Sequence, residues 1–389
     1  MAPLTREQQM ALRKKQAEDR PPAQDDPLDA IKQHLQGGGK ILPIVGNSLV
    51  DNLIFPLSAE EGKIPRVDEF LAEFWAEKVG YPFVQRTRMA HIAQFVLMRG
   101  AAPSIAKKSY VDFLKELRLD MSETMDEEVE FVAGLRRKSG SLAFTDICAE
   151  LDLTSTADKN PLDALAEMNL PLYITTSYYD FLERALQQAG KNPLTHICFW
   201  DGPPPPEAGE HAAERDFRLG DPKTPGFRPI VYHLLGHERF PETMVLAEDD
   251  FLKYLKKIAV DSPNSQRPVI PTYLRDQIAN SALVMMGLNI ADWDFRMLFH
   301  GVLPLAIENK PRHPCLALQL DPSKQRELVE GAEGEEGDKE PRKQAVIKAA
   351  YDYLDQYFKH ANFKVVLQES GAFVQDLWRV WQEVQRESV

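Results

Sequence analysis

Cysteine is scarce in this sequence: Cys148, Cys198 and Cys315 are the only three in 389 residues, and no two of them form a CxxC pair. Three widely spaced cysteines exclude a four-cysteine zinc site built from this chain, and they do not suggest a disulfide framework. Free thiols are typical of a reducing compartment, so we expect a cytoplasmic protein without a bound metal.

Long apolar runs are also lacking. No stretch of about 18 apolar residues occurs, which argues against a membrane-spanning helix. The first 20 residues carry charges throughout, so we expect neither a signal peptide nor a membrane anchor there.

Positive charge is not in excess either. The formal net charge is −13, whereas proteins that bind nucleic acid need basic surface to neutralise phosphates. The densest basic run, at residues 136–138, is interpreted as the solvated end of a helix. We therefore expect no direct contact with nucleic acid.

What the sequence does contain is an alternation of short apolar runs and amphipathic segments. The runs that predict buried strands are residues 41–46, 170–177, 195–200, 229–236, 282–287, 314–320 and 363–368. Helical periodicity follows most of them, which is typical of a parallel sheet covered on both faces. The predicted fold is therefore α/β, a Rossmann-like parallel sheet flanked by helices, with a smaller helical module inserted.

The remaining segments divide the chain. Residues 1–27 are predicted to form a flexible polar arm, and residues 28–389 to form one domain. Within that domain we predict a helical module at 66–158, a Pro-rich loop at 201–228, an acidic loop at 327–341 and a helix–strand–helix unit at 342–389.

Candidate binding residues lie at the carboxyl ends of four predicted strands, where α/β sheets bind ligands. The first strand ends in Gly46, Asn47 and Ser48. A glycine here would let the backbone approach a pyrophosphate. Such turns also join strands to helices in many proteins, so this signal is weak by itself.

The second strand end carries Thr175, Thr176 and Ser177, followed by Asp180 at the start of a helix. Three hydroxyls at one edge of a sheet could hold a ribose or a phosphate. The same residue types are also those that cap helices, and composition alone favours that interpretation.

The third strand delivers His233, Gly236 and His237 to the same edge. Histidine is the usual residue for proton transfer near neutral pH. The alternative is a histidine of the core that is satisfied by its neighbours.

The fourth strand ends at Gly287, and Asn289 lies in the turn that follows, where it could contact an adenine ribose. The helix that begins with Asp292, Trp293 and Asp294 is interpreted as a structural anchor for this turn.

The order and spacing of these motifs resemble the sirtuin-like family, specifically its bacterial branch of NAD hydrolases found in anti-phage defence. The matching runs are Gly46 to Leu49, Thr175 to Glu183, Val231 to Tyr254 and Gly287 to Arg296. They correspond to a glycine-rich first turn, a TTNYDxxLE motif, a VYHLxG strand leading into a TEDDY-type helix, and a DWDFR turn. The closing segment, FKVVLQESGAFVQDLW, is also similar to the end of that family.

The resemblance implies that NAD lies across the strand ends and that its nicotinamide–ribose bond is cleaved. It implies catalytic roles for Ser177, His233 and His237, because the family uses a motif asparagine to orient water or ribose and a histidine as base. The residues that would bind NAD are Gly46, Asn47, Ser48, Thr175, Thr176, Asp180, Gly236, Gly287 and Asn289. No metal is implied.

The sequence departs from the family at three positions. Ser177 stands where the motif has asparagine, Leu235 where a histidine precedes the glycine, and Ser48 where the first turn has a second glycine. The leading hypothesis is an NAD hydrolase that acts in bacterial anti-phage defence. The alternative is a catalytically impaired sirtuin-like module that binds NAD, ADP-ribose or a protein partner without turnover. Apolar aromatic residues in the helical region 66–158 and in the last helix could face another subunit, so we expect a homo-oligomer. The resemblance further implies a second defence component, such as a DNA-translocating ATPase.

Overall fold

All seven strands lie in one sheet in the computed structural model of the chain, in the order β3-β4-β2-β1-β5-β6-β7. The structure describes residues 26–57, 66–100, 102–123, 129–153, 160–214, 217–307, 311–319, 321–322 and 339–387. Every strand pairing among these residues is parallel. The predicted fold class, a Rossmann-like α/β arrangement, is confirmed.

Each strand coincides with one of the apolar runs that predicted it, and only β3 begins outside its run, by one residue at Leu194. The strands are β1 (Ile41–Val45), β2 (Leu172–Thr175), β3 (Leu194–Ile197), β4 (Ile230–His233), β5 (Ala282–Met286), β6 (Cys315–Gln319) and β7 (Lys364–Leu367). Every residue of β1 and β5 is buried. Burial of both alternating sets of side chains means that both faces of the sheet are covered.

The helices between the strands begin with α1 (Pro27–Gln36) and α2 (Asp51–Ile54), which lie before and after β1. Next come α3 (Val67–Val79), α4 (Met89–Met98), α5 (Pro103–Glu123), α6 (Val129–Lys138) and α7 (Phe144–Glu150). The rest are α8 (Pro161–Glu167), α9 (Phe181–Gln188), α10 (Glu248–Ala259), α11 (Thr272–Asn280), α12 (Trp293–Arg296), α13 (Leu303–Ala306), α14 (Lys339–His360) and α15 (Ser370–Glu387). A π-helical turn, Met297–Val302, joins α12 to α13.

The helical module predicted at residues 66–158 contains α3 to α7. These helices pack on one another, and α3 also contacts α2, which follows β1. Helix α5 contacts the 3-10 turn Pro241–Thr243 after β4, and α4 contacts α10. The module therefore lies against the loops at the carboxyl ends of the strands, which is the edge where an α/β sheet binds its ligand.

Several predicted segments are described only in part. The predicted arm at 1–27 lies outside the described residues as far as residue 25, and α1 begins at Pro27. The predicted acidic loop at 327–341 lies outside them as far as residue 338, and α14 begins at Lys339. In the predicted Pro-rich loop, the described residues form a 3-10 turn, Pro206–His211, and no strand. None of the helices in the described part of the chain is long and apolar enough to cross a membrane.

A backbone contact between two glycines joins the turns after β1 and β5. The Gly46 N–H donates to the carbonyl oxygen of Met286 at 2.8 Å. A Cβ atom on Gly46 would lie 2.1 Å from the carbonyl oxygen of Gly287, and Gly287 itself has a φ of +67°. Only residues without a side chain allow the two turns to approach this closely.

We expect Gly46→Ala to lower the free energy of unfolding by about 2 kcal/mol or more, because its methyl group would overlap the Gly287 backbone. Gly46 has φ −96°, which alanine adopts readily, so the effect should be steric. Urea denaturation measures it. The control is Gly140→Ala, whose Cβ would meet nothing within 4 Å. Equal destabilisation by the two substitutions would contradict the close contact.

Candidate functional site

A large cavity lies where the strand order reverses. Strand β1 pairs with β2 on one side and with β5 on the other. After β1 the chain adds β2 on one side of β1 and later adds β5 on the other side of β1. The loops at these strand ends therefore diverge, which creates a crevice between them. The cavity occupies this crevice and has a volume of about 910 Å³. This volume is typical of sites for small ligands.

The cavity is bounded by the sheet edge below and by the helical module above. From the sheet edge come Asn47, Ser48, Leu49, Thr176, Tyr178, Leu235, Gly287, Leu288, Asn289, Gln319, Gln368, Glu369, Ser370 and Gly371. From the helical module come Arg66, Val67, Asp68, Glu69, Leu71, Met89, Tyr110, Leu114 and Phe144. The predicted binding residues Asn47, Ser48, Thr176, Gly287 and Asn289 are among the lining residues.

One end of the cavity is rich in carboxylates. Burial, together with the charges of Asp68 and Asp294, raises the pKa of Asp51 to about 7. Burial beside Asp294 and Asp68 likewise raises the pKa of Asp292 to about 8, although Arg66 opposes this shift. Arg66 donates to Asp292 at 2.9 Å and also pairs with Asp68. The acids thus outnumber the one guanidinium that links them, and this end attracts cations.

Asp294 is fixed at the same end by two hydrogen bonds. The Thr176 hydroxyl donates to its Oδ2 atom at 3.1 Å, and the Phe295 N–H donates to its Oδ1 atom at 2.7 Å. Burial raises the pKa of Asp294 to about 6, and these two bonds limit the rise because they stabilise the ionised form. Asp294 therefore ionises more readily than Asp51.

Amide side chains also line the cavity. The Gln319 side chain donates to the Leu288 carbonyl at 2.8 Å and accepts from the Ile290 N–H at 3.1 Å. Gln368 lies beyond it, after β7. The hydroxyl of Ser370, the first residue of α15, accepts from the Gly287 N–H at 3.3 Å. This bond ties the turn after β5 to the end of β7.

The predicted catalytic residues Ser177, His233 and His237 are not among the residues that line the cavity. His233 is 0% exposed. Its Nδ1 atom bonds the Ser177 carbonyl at 2.8 Å, and its Nε2 atom bonds Glu183 Oε1 at 2.8 Å. Burial alone would lower the pKa of His233, but the Glu183 carboxylate raises it above 6.5. His233 is thus the charged partner in a buried pair between β4 and α9.

His237 lies beside His233 in the same buried network, with ring centroids 4.5 Å apart. Its Nε2 atom bonds Asp180 Oδ1 at 2.9 Å, and its Nδ1 atom accepts from the Arg239 N–H. Burial, together with His233, lowers the pKa of His237. The ring is therefore neutral, with the proton on Nε2 directed at Asp180.

Asp180, His233 and His237 also place three possible metal-ligand atoms within 4.8 Å of one another. The sequence predicted no metal. In the structure each of these histidine nitrogens has a hydrogen-bond partner within the protein. The group is therefore satisfied by its own hydrogen bonds, as a structural network would be.

Four of the predicted binding residues lie outside the cavity wall, and one of them, Asp180, belongs to the network with His237 described above. Gly46 contacts Gly287, as described above. Gly236 has a φ of +89°, and a Cβ atom there would lie 2.1 Å from the Thr243 carbonyl oxygen. The Thr175 hydroxyl donates to the Val45 carbonyl at 3.1 Å and accepts from the Ser177 N–H. These residues shape the turns from which neighbouring residues reach the cavity.

The sequence analysis missed Asp51 as a site residue and interpreted Asp294 as structural. Asp51 lies three residues after Ser48, the end of the glycine–asparagine–serine turn, and is the first residue of α2, where an acid complements the helix dipole. Because an acid at the start of a helix needs no further explanation, the sequence gives no sign that Asp51 also lines the cavity. Leu235, noted as a departure from the sirtuin-like pattern, does line the cavity.

A doubly wound parallel sheet with a crevice at its reversal point defines a ligand-binding α/β protein. Residues 171–336 match the family model of the SIR2-like domain. The match begins at β2 and runs past β6, and it confirms the sirtuin-like resemblance of the sequence over this segment. It also marks the segment as part of an NAD-related module. No curated protein matches the chain.

We expect Glu183→Gln to lower the free energy of unfolding by about 3 kcal/mol at pH 6, because it leaves the His233 charge buried without its partner. A raised pKa of His233 stabilises the fold fully below pH 6.5, and this stabilisation is lost as the pH rises through the raised value. The difference from the unmodified chain should therefore shrink at pH 9.

Urea denaturation at the two pH values measures this difference. Glu150→Gln, at an exposed position on α7, is the matched control and should change stability by less than about 0.5 kcal/mol. A pH-independent effect of Glu183→Gln would contradict the charged state of His233.

Proposed function

We propose that the chain binds NAD in the crevice and hydrolyses its nicotinamide–ribose bond. The observation that carries this proposal is the position of the cavity. It lies at the reversal point of the sheet, between the strand ends of a SIR2-like segment and the helical module. A dinucleotide lies across this point in doubly wound folds.

The residues that line the cavity suggest how NAD is oriented. Its pyrophosphate would lie over the turn of Asn47 and Ser48, opposite Gly287, at the middle of the crevice. The amides of Gln319 and Asn289 suit the adenine and its ribose, which need hydrogen-bond donors and acceptors. The carboxylate-rich end suits the nicotinamide ring, because that ring is positively charged.

The proposed reaction needs little covalent assistance. When the bond to the nicotinamide nitrogen breaks, its electron pair stays on the ring and positive charge develops on the ribose. The protein must hold the ribose, exclude bulk water and stabilise that charge. The Asp294 carboxylate, positioned by Thr176, can provide this electrostatic stabilisation.

We propose that Ser177, His233 and His237, the buried residues of the family motifs, have a positioning role. His233 bonds the Ser177 carbonyl, and His237 bonds Asp180. These bonds connect the end of β4 to the segment after β2 that carries Thr176 into the cavity. Substitution of Ser177 or His233 should therefore affect the reaction through the position of Thr176.

A second function is favoured by one observation. Leu235, which lines the cavity, occupies the position of the family's histidine. An apolar side chain cannot accept a proton, which favours a module that binds NAD or ADP-ribose without turnover. Release of nicotinamide distinguishes the two functions.

We propose that the protein acts in anti-phage defence as a cytoplasmic homo-oligomer, together with a second component such as a DNA-translocating ATPase. The defence role and the second component are proposed from the resemblance of the motifs. We propose likewise that residues 28–389 act as one sirtuin-like domain.

We expect the protein to bind ADP-ribose in isothermal titration calorimetry and to release nicotinamide from NAD. The double variant Asn47→Ala/Ser48→Ala should weaken ADP-ribose binding about 10- to 100-fold, because hydrogen bonds to charged groups contribute about 1.5–3 kcal/mol. The control Asn264→Ala/Ser265→Ala lies in a loop that does not line the cavity. Absence of ADP-ribose binding, or equal weakening in the control, would refute this site. Binding without nicotinamide release would support the second function.

A further inference from the structure

Hydrolysis of NAD requires a group that accepts a proton from the attacking water, and the cavity offers no histidine for this task. Among the described residues that line it, none is a histidine, and Leu235 stands at the position where the family's motif has one. Both ring nitrogens of His233 and of His237 are held in the buried network. The acceptor must therefore be sought among other groups in the wall.

Asp51 is the carboxylate whose surroundings best fit such an acceptor. It is the first residue of α2, two positions after the turn of Asn47 to Leu49 that follows β1, and its half-buried side chain lines the cavity. Groups from three packed elements act on it or lie beside it: Asp68 of α3, Asp294 of α12 and Tyr110 of α5. None of them supplies positive charge.

This environment sets the protonation of Asp51. Burial raises its pKa to about 7, with Asp68 and Asp294 adding to the shift. A base is most effective when its pKa lies near the working pH, because it is then both available and strong enough to take a proton. Asp51 meets both conditions near neutral pH.

Asp294 differs from Asp51 because hydrogen bonds hold its ionised form. Its two oxygens accept from the Thr176 hydroxyl and the Phe295 N–H, and its pKa of about 6 leaves it ionised at neutral pH. The facing charged groups are Asp68 and Asp292, with Arg66 bound to both of these. Two neighbouring carboxylates with different environments commonly divide two chemical roles between them.

We propose that Asp51 accepts the proton of the attacking water while Asp294 stays ionised and stabilises the cationic ribose. This inference rests on the proposed function. The C1′–N1 bond breaks, and its electron pair neutralises the nicotinamide ring. The water oxygen then bonds to C1′, and one of its protons moves to the Asp51 carboxylate. The products are nicotinamide, ADP-ribose and one proton, which Asp51 later gives to solvent.

The test compares Asp51→Asn, Asp294→Asn and the control Asp276→Asn, an exposed position on α11. For each variant, nicotinamide release is followed from pH 5.5 to 9, ADP-ribose binding is measured by calorimetry, and folding is checked by thermal denaturation. Asparagine keeps the shape of the side chain, so binding should persist while chemistry is lost.

For the unmodified chain we expect kcat/KM to rise with pH through about 7 and then to level off, because the ionised form of Asp51 is the active one. Asp51→Asn should lower kcat by about 100- to 10,000-fold and remove this rise. Asp294→Asn should lower kcat and move the rise to lower pH, because one negative charge that acts on Asp51 is gone. Asp276→Asn should behave like the unmodified chain.

The outcomes separate this inference from the proposed function. If the unmodified chain releases nicotinamide and Asp51→Asn keeps both the rate and the pH profile, the inference is overturned and the proposed function stands. If the unmodified chain binds ADP-ribose without releasing nicotinamide, both the hydrolase and the role of Asp51 are overturned. A folded Asp51→Asn variant that binds ADP-ribose normally but has lost the pH-dependent release supports the inference.

Discussion

The close contact between the turns after β1 and β5 is the constraint on which the site depends. Gly46 and Gly287 meet backbone to backbone, so that no side chain separates the two central strand ends. The crevice must then open above this contact, between the loops and the helical module. The hydrogen bond from the Gly287 N–H to the Ser370 hydroxyl also ties the turn after β5 to the segment after β7. The residues that follow these two glycines, among them Asn47, Ser48 and Asn289, line the cavity.

The strands could be predicted because a parallel strand covered on both faces is a continuous apolar run, and that signal survives without any tertiary information. The predicted runs extend past some strands, as at residues 229–236, where β4 ends at His233. There the apolar residues Leu234 and Leu235 continue into a turn. Burial alone therefore did not distinguish a strand from the buried turn that follows it.

The lining of the site was harder to predict. A residue at a strand end faces the cavity or the core according to the local turn, and sequence spacing does not determine that direction. His233 is fully buried, and its partner is Glu183, fifty positions earlier in the chain. For Asp51, the sequence reveals the local role at the start of a helix. Its proximity to Asp68 and Asp294 arises only when the helical module packs onto the sheet, so the sequence does not reveal it.

The carboxylate-rich end of the cavity also couples ligand charge to solvent protons. Asp51 and Asp292 both hold protons more tightly than an ordinary aspartate does, with pKa values of about 7 and 8. A cation placed beside them favours their ionised forms and so displaces protons into the medium. By linkage, the affinity of this end for a cation must increase as the medium becomes more alkaline, and a neutral ligand gains much less from the same change. The preference of the cavity for cationic over neutral ligands therefore depends on the pH of the medium.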